Sequence, residues 1–175
     1  MKTTLLTSFI LSSALFAGCA TAASPIVLGS VGPETQRVDQ ASKRGGLIVF
    51  SGVEVHQGGN DPSNTYTHHS DYEIWTADGS KRLQRVRNAP APFVADAEPV
   101  RTELAPGQYL VKAMANAYNS VSVPVTIAAN RITAVHLDGS LGTDKAMTSA
   151  DKIYLPNGEI VGTRAAGQTI ADTGK

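Results

Sequence analysis

The chain of 175 residues has a single cysteine, few aromatic residues and no excess of charge. One cysteine cannot close an internal disulfide, which excludes a disulfide-stabilised scaffold. Fifteen lysines and arginines balance fifteen aspartates and glutamates, which excludes a nucleic-acid-binding protein of the basic kind. Only one long apolar run is present, which excludes a polytopic membrane protein. The length favours one small domain with flanking segments.

The sequence motifs of familiar enzymes are also missing. The chain has no Gly-x-Ser-x-Gly nucleophile motif, no His-Glu-x-x-His zinc motif and no glycine-rich phosphate-binding loop. We therefore predict a protein that is not an enzyme and that needs no cofactor.

Residues 1–18 have the pattern of an export signal. Lys2 supplies a positive charge, and the 13 residues from Leu5 to Ala17 carry none. This length suits a signal segment and is shorter than the roughly 20 residues that span a bilayer as a helix. The run ends in Leu15-Phe16-Ala17-Gly18-Cys19.

That ending resembles the lipobox of bacterial lipoproteins, although Phe16 stands where the family prefers a smaller aliphatic residue. The resemblance implies cleavage after Gly18, lipidation of Cys19 and attachment to the membrane through acyl chains. Ala20, rather than aspartate, follows the cysteine, which in this family implies the outer membrane, with the domain facing the periplasm. The alternative is an ordinary signal peptide that is cleaved near Ala22 and discards Cys19.

The remainder of the chain predicts an all-β protein. Residues 19–46 lack sustained periodicity and predict a flexible, lipidated tether, with one local strand at Ile26–Leu28. Residues 47–138 alternate between apolar and polar side chains and predict a single Ig-like β-sandwich of about seven strands. Within residues 139–175 we expect a linker, a β-hairpin over 153–162 around Asn157-Gly158, and a frayed tail.

A second resemblance concerns the predicted sandwich. The pattern is Val100-x-Thr102-x-Leu104-x-Pro106-Gly107-x-Tyr109-x-Val111-x-Ala113, followed by Tyr118 and Val123-x-Val125-x-Ile127. It is similar to carboxypeptidase regulatory-like and PEGA-type domains, which share a transthyretin-like sandwich. The resemblance implies a type II turn at Pro106-Gly107 and a non-catalytic module for binding or structural support. The fold alone does not determine a function.

The strand from Val121 to Ile127 is one candidate binding element. Its four apolar residues at alternate positions predict a core face, and Pro124 cannot donate a ladder hydrogen bond. We therefore expect an edge strand, to which a partner strand could add beside Ser122 and Thr126.

The segment 58–69 is the other candidate, as a polar loop. Asp61 lies in a faint echo of a calcium loop, which lacks the acidic end residue and the central glycine. His68 and His69, near His56 and Asp71, could approach a metal, because imidazole suits zinc and copper. Adjacent strand residues point to opposite faces, so His68 and His69 could share one ion only from a loop. We assign no metal ligand from the sequence.

Together these observations favour a non-catalytic, membrane-anchored envelope lipoprotein that serves as a protein-binding or structural β-sandwich module. The partners expected are the membrane, through lipidated Cys19, and an envelope protein, with no nucleic acid. The alternative is a carbohydrate- or metal-binding module that uses the 58–69 loop.

Overall fold

The computed structural model describes residues 26–34, 42–57, 65–88, 98–116, 118–141 and 151–166, and within them the chain is all-β. The strands are β1 (Ile26–Val27), β2 (Gly45–Phe50), β3 (Val53–Gln57), β4 (Thr65–His69), β5 (Tyr72–Thr76), β6 (Arg82–Val86), β7 (Thr102–Leu104), β8 (Gly107–Ala115), β9 (Tyr118–Ile127), β10 (Ile132–His136), β11 (Lys152–Tyr154) and β12 (Ile160–Thr163). The predicted fold class is confirmed at this level.

Two sheets supply most of the core. One has five strands in the order β1-β9-β8-β5-β6, and the other has three in the order β10-β2-β7. Their buried side chains form one hydrophobic cluster that extends from Val49 of β2 to Val123 of β9. The alternation in β9 is confirmed, because Val121, Val123, Val125 and Ile127 are all buried. Burial of one apolar face per strand is the main stabilising contribution.

The fold begins before the predicted sandwich boundary. β1 pairs in parallel with β9, and Val31 forms a further parallel bridge to Val125 and is fully buried. We call residues 26–32 the N-terminal strap. The prediction of a flexible tether is therefore wrong for the strap and for Gly45 and Gly46, which are part of β2. The local strand predicted at Ile26–Leu28 contains β1, but the sequence pattern did not show that it pairs with a strand about 95 residues away.

The strap also covers the edge of β9. The N–H groups of Leu28 and Val31 donate to Ser122 O and Pro124 O, and the Thr126 N–H donates to Val31 O, all at 2.9 Å. The nitrogen of Pro124 faces away from β8, as expected, and its missing hydrogen interrupts the ladder between Leu28 and Val31. The prediction of an open edge, to which a partner strand could add beside Ser122 and Thr126, is therefore wrong. The strap already pairs with that side of β9.

The strap reaches the C-terminal hairpin as well. β11 and β12 pair antiparallel around Asn157-Gly158, where Gly158 has φ 89°, as the hairpin prediction requires. The Gly32 N–H donates to Thr163 O. Leu155 and Val161 are buried, so the hairpin packs on the main core. The type II turn at Pro106-Gly107 is not formed, because Gly107 opens β8 with φ 157°, far from the roughly +80° of that turn.

A hydrogen-bonding centre links the strand ends near Phe50. The Asn88 side chain is 1% exposed, donates to Val49 O at 2.8 Å and to Ser51 Oγ at 3.0 Å, and accepts from the Val100 N–H at 3.0 Å. Ser51 Oγ in turn donates to Ser70 O at 2.6 Å. These bonds join the end of β2, the residue that follows β4 and the segment that precedes β7.

Candidate metal centre

β3 and β4 form a hairpin that pairs with no other strand in the described part of the chain. We call it the arm. β2 ends at Phe50, and Gly52 bonds across to β8 through its N–H to Met114 O at 2.7 Å. A Cβ on Gly52 would lie 3.1 Å from the Ala115 carbonyl carbon. The close approach of the backbones at Gly52 therefore separates the core strand from the arm.

The register of the arm gathers four polar or aromatic side chains on one face. Glu54 is paired with His68, and His56 is paired with Tyr66. Because residues two apart on a strand share a face, Glu54 and His56 lie on the same side as His68 and Tyr66. The predicted loop 58–69 is thus wrong for residues 65–69, which form β4, and Asp61 lies outside the described residues.

Three of these side chains have the distances of a metal-ligand set. The Nε2 atoms of His56 and His68 each lie 3.5 Å from Glu54 Oε2. The three candidate ligand atoms all lie within 4.8 Å of one another. Two ligands bound at about 2.0–2.1 Å in a tetrahedral site are about 3.3 Å apart. The carboxylate oxygen is therefore already at nearly the required separation from both imidazole nitrogens.

One of the three candidate ligand atoms has no hydrogen-bond partner, which favours the binding of a cation. The Nε2 atom of His56 is covered from solvent and has no hydrogen-bond partner in the described structure, although 43% of the side chain is exposed. A covered nitrogen without a partner is unfavourable. The rings of His56 and His68 stack at 4.4 Å with an interplanar angle of 16°, so a metal would require one ring to rotate toward the other.

His69 belongs to the opposite face of the arm. Its Nδ1 lies 2.7 Å from Ser51 O, and because a carbonyl only accepts, Nδ1 carries the proton and donates. It lines an open cleft of about 310 Å³ together with Phe50, Glu98 and Asp138. His68 also borders this cleft, but the adjacent side chains lie on opposite faces of the arm, as the strand period requires, and only His68 joins the cluster.

His136 lies beside this cleft and stacks on Phe50 at 4.3 Å. Burial lowers the pKa of His136, the proximity of His69 lowers it further, and the negative charge of Asp138 partly offsets both. His136 is therefore uncharged near neutral pH.

The sequence analysis missed the ligand pair Glu54-x-His56. The signal was present, since an acid and a histidine two apart on an alternating strand must share a face. What the sequence did not reveal was the register that sets Glu54 opposite His68. Ser122 and Thr126 lie on β9 and are not part of the cluster, and Cys19 lies outside the described residues.

Among the described residues there is no helix of the length and hydrophobicity that crossing a membrane requires. Models of protein families, curated proteins and solved structures were each compared with this chain, and none matches it.

Proposed function

We propose that this protein is a non-catalytic, lipid-anchored envelope protein that binds a divalent transition metal, Cu²⁺ or Zn²⁺, on its arm. The observation that carries the metal-binding function is the position of His56 Nε2 and His68 Nε2, each 3.5 Å from Glu54 Oε2. Two imidazoles and one carboxylate are ligands that suit zinc and copper. The lipidated Cys19 and the transthyretin-like sandwich are part of the proposal, and the lipobox-like and strand patterns support them.

Three protein ligands leave at least one coordination position for water or for a ligand of another molecule. The side chains of Glu54 and His56 are about two-fifths exposed and that of His68 is one-fifth exposed. A site that solvent reaches on this scale exchanges its ion readily. The function that fits this geometry is the reversible capture of metal in the envelope, rather than the permanent binding of a structural ion.

Metal binding also bridges the two strands of the arm, because Glu54 and His56 come from β3 and His68 from β4. An isolated two-stranded hairpin is only marginally stable in water. The ion therefore stabilises the arm, and hydrogen exchange of the arm amides should slow when metal is added.

Calorimetric titration of the metal-free protein tests the proposal. We expect about one equivalent of Cu²⁺ or Zn²⁺ to bind, with Cu²⁺ tighter, and Mg²⁺ not to compete, because it prefers oxygen ligands. Glu54→Gln, His56→Gln and His68→Gln should each weaken the affinity at least about tenfold, since even outer partners of metal ligands contribute 10–100-fold.

His69→Gln is the matched control, because it changes the neighbouring histidine on the opposite face of the arm. Its affinity for metal should equal that of the unmodified protein. Equal losses in His68→Gln and His69→Gln, or binding that survives all three ligand substitutions, would contradict the site.

A further inference from the structure

A lipid on Cys19 would hold the domain close to the bilayer. Because β1 starts at Ile26, only seven residue steps separate the fold from Cys19, a reach of about 25 Å when fully extended. A fold that began at Leu47 would allow a reach of about 100 Å. A domain of this size is about 35 Å across, so a connection that reaches at most about 25 Å is shorter than the domain and keeps one end of it toward the membrane.

The end held toward the membrane is the end that carries the arm. Ile26 is paired with Val121, and Val121 is paired with Ala113 across β8. Met114, the next residue, accepts the hydrogen bond from Gly52 at the root of the arm. Since adjacent strands are about 4.8 Å apart, the start of β1 lies only about 10–15 Å from that root.

Exposed apolar side chains collect at this end. Seven large hydrophobic residues are exposed in the described structure, and four of them lie on β1, on the arm or on the β8 residue that bonds to its root: Val27, Val53, Val55 and Met114. We call these four the anchor-end patch. Val53 and Val55 share the face of the arm opposite the metal ligands, and Val55 is 67% exposed. Exposed apolar residues grouped in this way mark an interaction surface.

We propose that the anchor-end patch rests on the lipid bilayer, with Val53 and Val55 in the headgroup region and the metal-ligand face of the arm turned to water. This inference rests on the lipid anchor of the proposed function. The chemistry of the surroundings selects the lipid. Glu54 lies on the arm, and the carboxylates of Glu98 and Asp138 line the cleft at its root, so the patch suits zwitterionic rather than anionic headgroups.

Fluorescence quenching on vesicles tests this orientation. The lipidated chain has no free thiol, because its single cysteine carries the lipid, so Val55→Cys can be labelled alone with a polarity-sensitive dye. The protein is reconstituted on phosphatidylcholine–phosphatidylethanolamine vesicles that contain nitroxide-labelled headgroups. Ser80→Cys is the control, since Ser80 is exposed in the turn at the other end of the sheet.

We expect quenching and a blue shift at position 55 that are several-fold greater than at position 80. In a chain labelled at Met114→Cys, adding Val55→Asp should reduce the quenching, while flotation with the vesicles is retained through the lipid. Replacing about one lipid in three with anionic phosphatidylglycerol should not increase the quenching.

Two negative results have different meanings. If the protein floats with vesicles and both positions are quenched equally, the orientation is wrong and the anchor stands. If Cys19 of the exported chain reacts with a thiol reagent and the protein does not float, the anchor is wrong and the orientation falls with it. Calorimetric metal binding by the arm is independent of both results.

Discussion

The side chain of Asn88 should be one of the most sensitive polar positions in the protein. It is 1% exposed and joins Val49 O, Ser51 Oγ and the Val100 N–H in one network. Its backbone N–H also donates a hydrogen bond to Asp71 Oδ1, at 3.3 Å. In Asn88→Ala the backbone bond remains and all three side-chain bonds are lost.

The expected loss of stability follows from which groups are left without partners. Val49 O becomes a buried acceptor without a donor, which costs about 1–3 kcal/mol. The Val100 N–H is partly buried, so water replaces its partner incompletely, at about 1 kcal/mol. Ser51 Oγ keeps its bond to Ser70 O and adds little. The free energy of unfolding should therefore fall by about 2–4 kcal/mol.

Urea unfolding measures this loss. With a slope of about 2 kcal/mol per molar urea for a domain of this size, the midpoint should fall by about 1–2 M. Asn119→Ala is the matched control, because Asn119 is exposed on β9, and its effect should stay within about 0.5 kcal/mol. A loss below about 1 kcal/mol in Asn88→Ala, with an unchanged slope, would refute the role of the network.

Two further substitutions test other parts of the fold. Val31→Ala should lower the free energy of unfolding by about 2–3 kcal/mol, because Val31 is fully buried. Val27→Ala is the control and should change it little, because Val27 is exposed. Equal effects of the two substitutions in urea unfolding would contradict the docking of the strap on the core. Burial lowers the pKa of His136. Near pH 6.5 the unfolded chain therefore binds a proton at this residue that the folded chain does not bind. The free energy of unfolding falls as the pH drops through that value. His136→Gln should reduce the difference between urea midpoints at about pH 7.5 and about pH 5.5, and an unchanged difference would contradict the assignment.

The part of the fold that depends on local pattern was predictable from the sequence. The alternation of Val121, Val123 and Val125 identified a core face because each strand buries one side. Asn157-Gly158 identified the C-terminal hairpin, in which Gly158 supplies the positive φ that a short connection uses. The docking of the strap was not predictable in this way, although a strand at Ile26–Leu28 was expected, since the strap is held by hydrogen bonds to β9 and β12.

The candidate metal centre shows the same division. The opposite directions of His68 and His69 follow from strand geometry alone, and the structure has them so. The partnership of His68 with Glu54 depends on the pairing register of the arm. No turn rule for a connection of seven residues fixes that register from the sequence.

The missing hydrogen of Pro124 has a consequence for association between molecules. Because Pro124 cannot donate, the strap is held to β9 by a short ladder with a gap in its middle. The strap of a second molecule presents the same donors and acceptors in the same order. Displacement of one strap by another would produce a dimer by strand exchange, in which each chain closes its neighbour's sheet. Under the lipid anchor that we propose, both chains would share one membrane surface, which would raise their local concentration and favour that exchange.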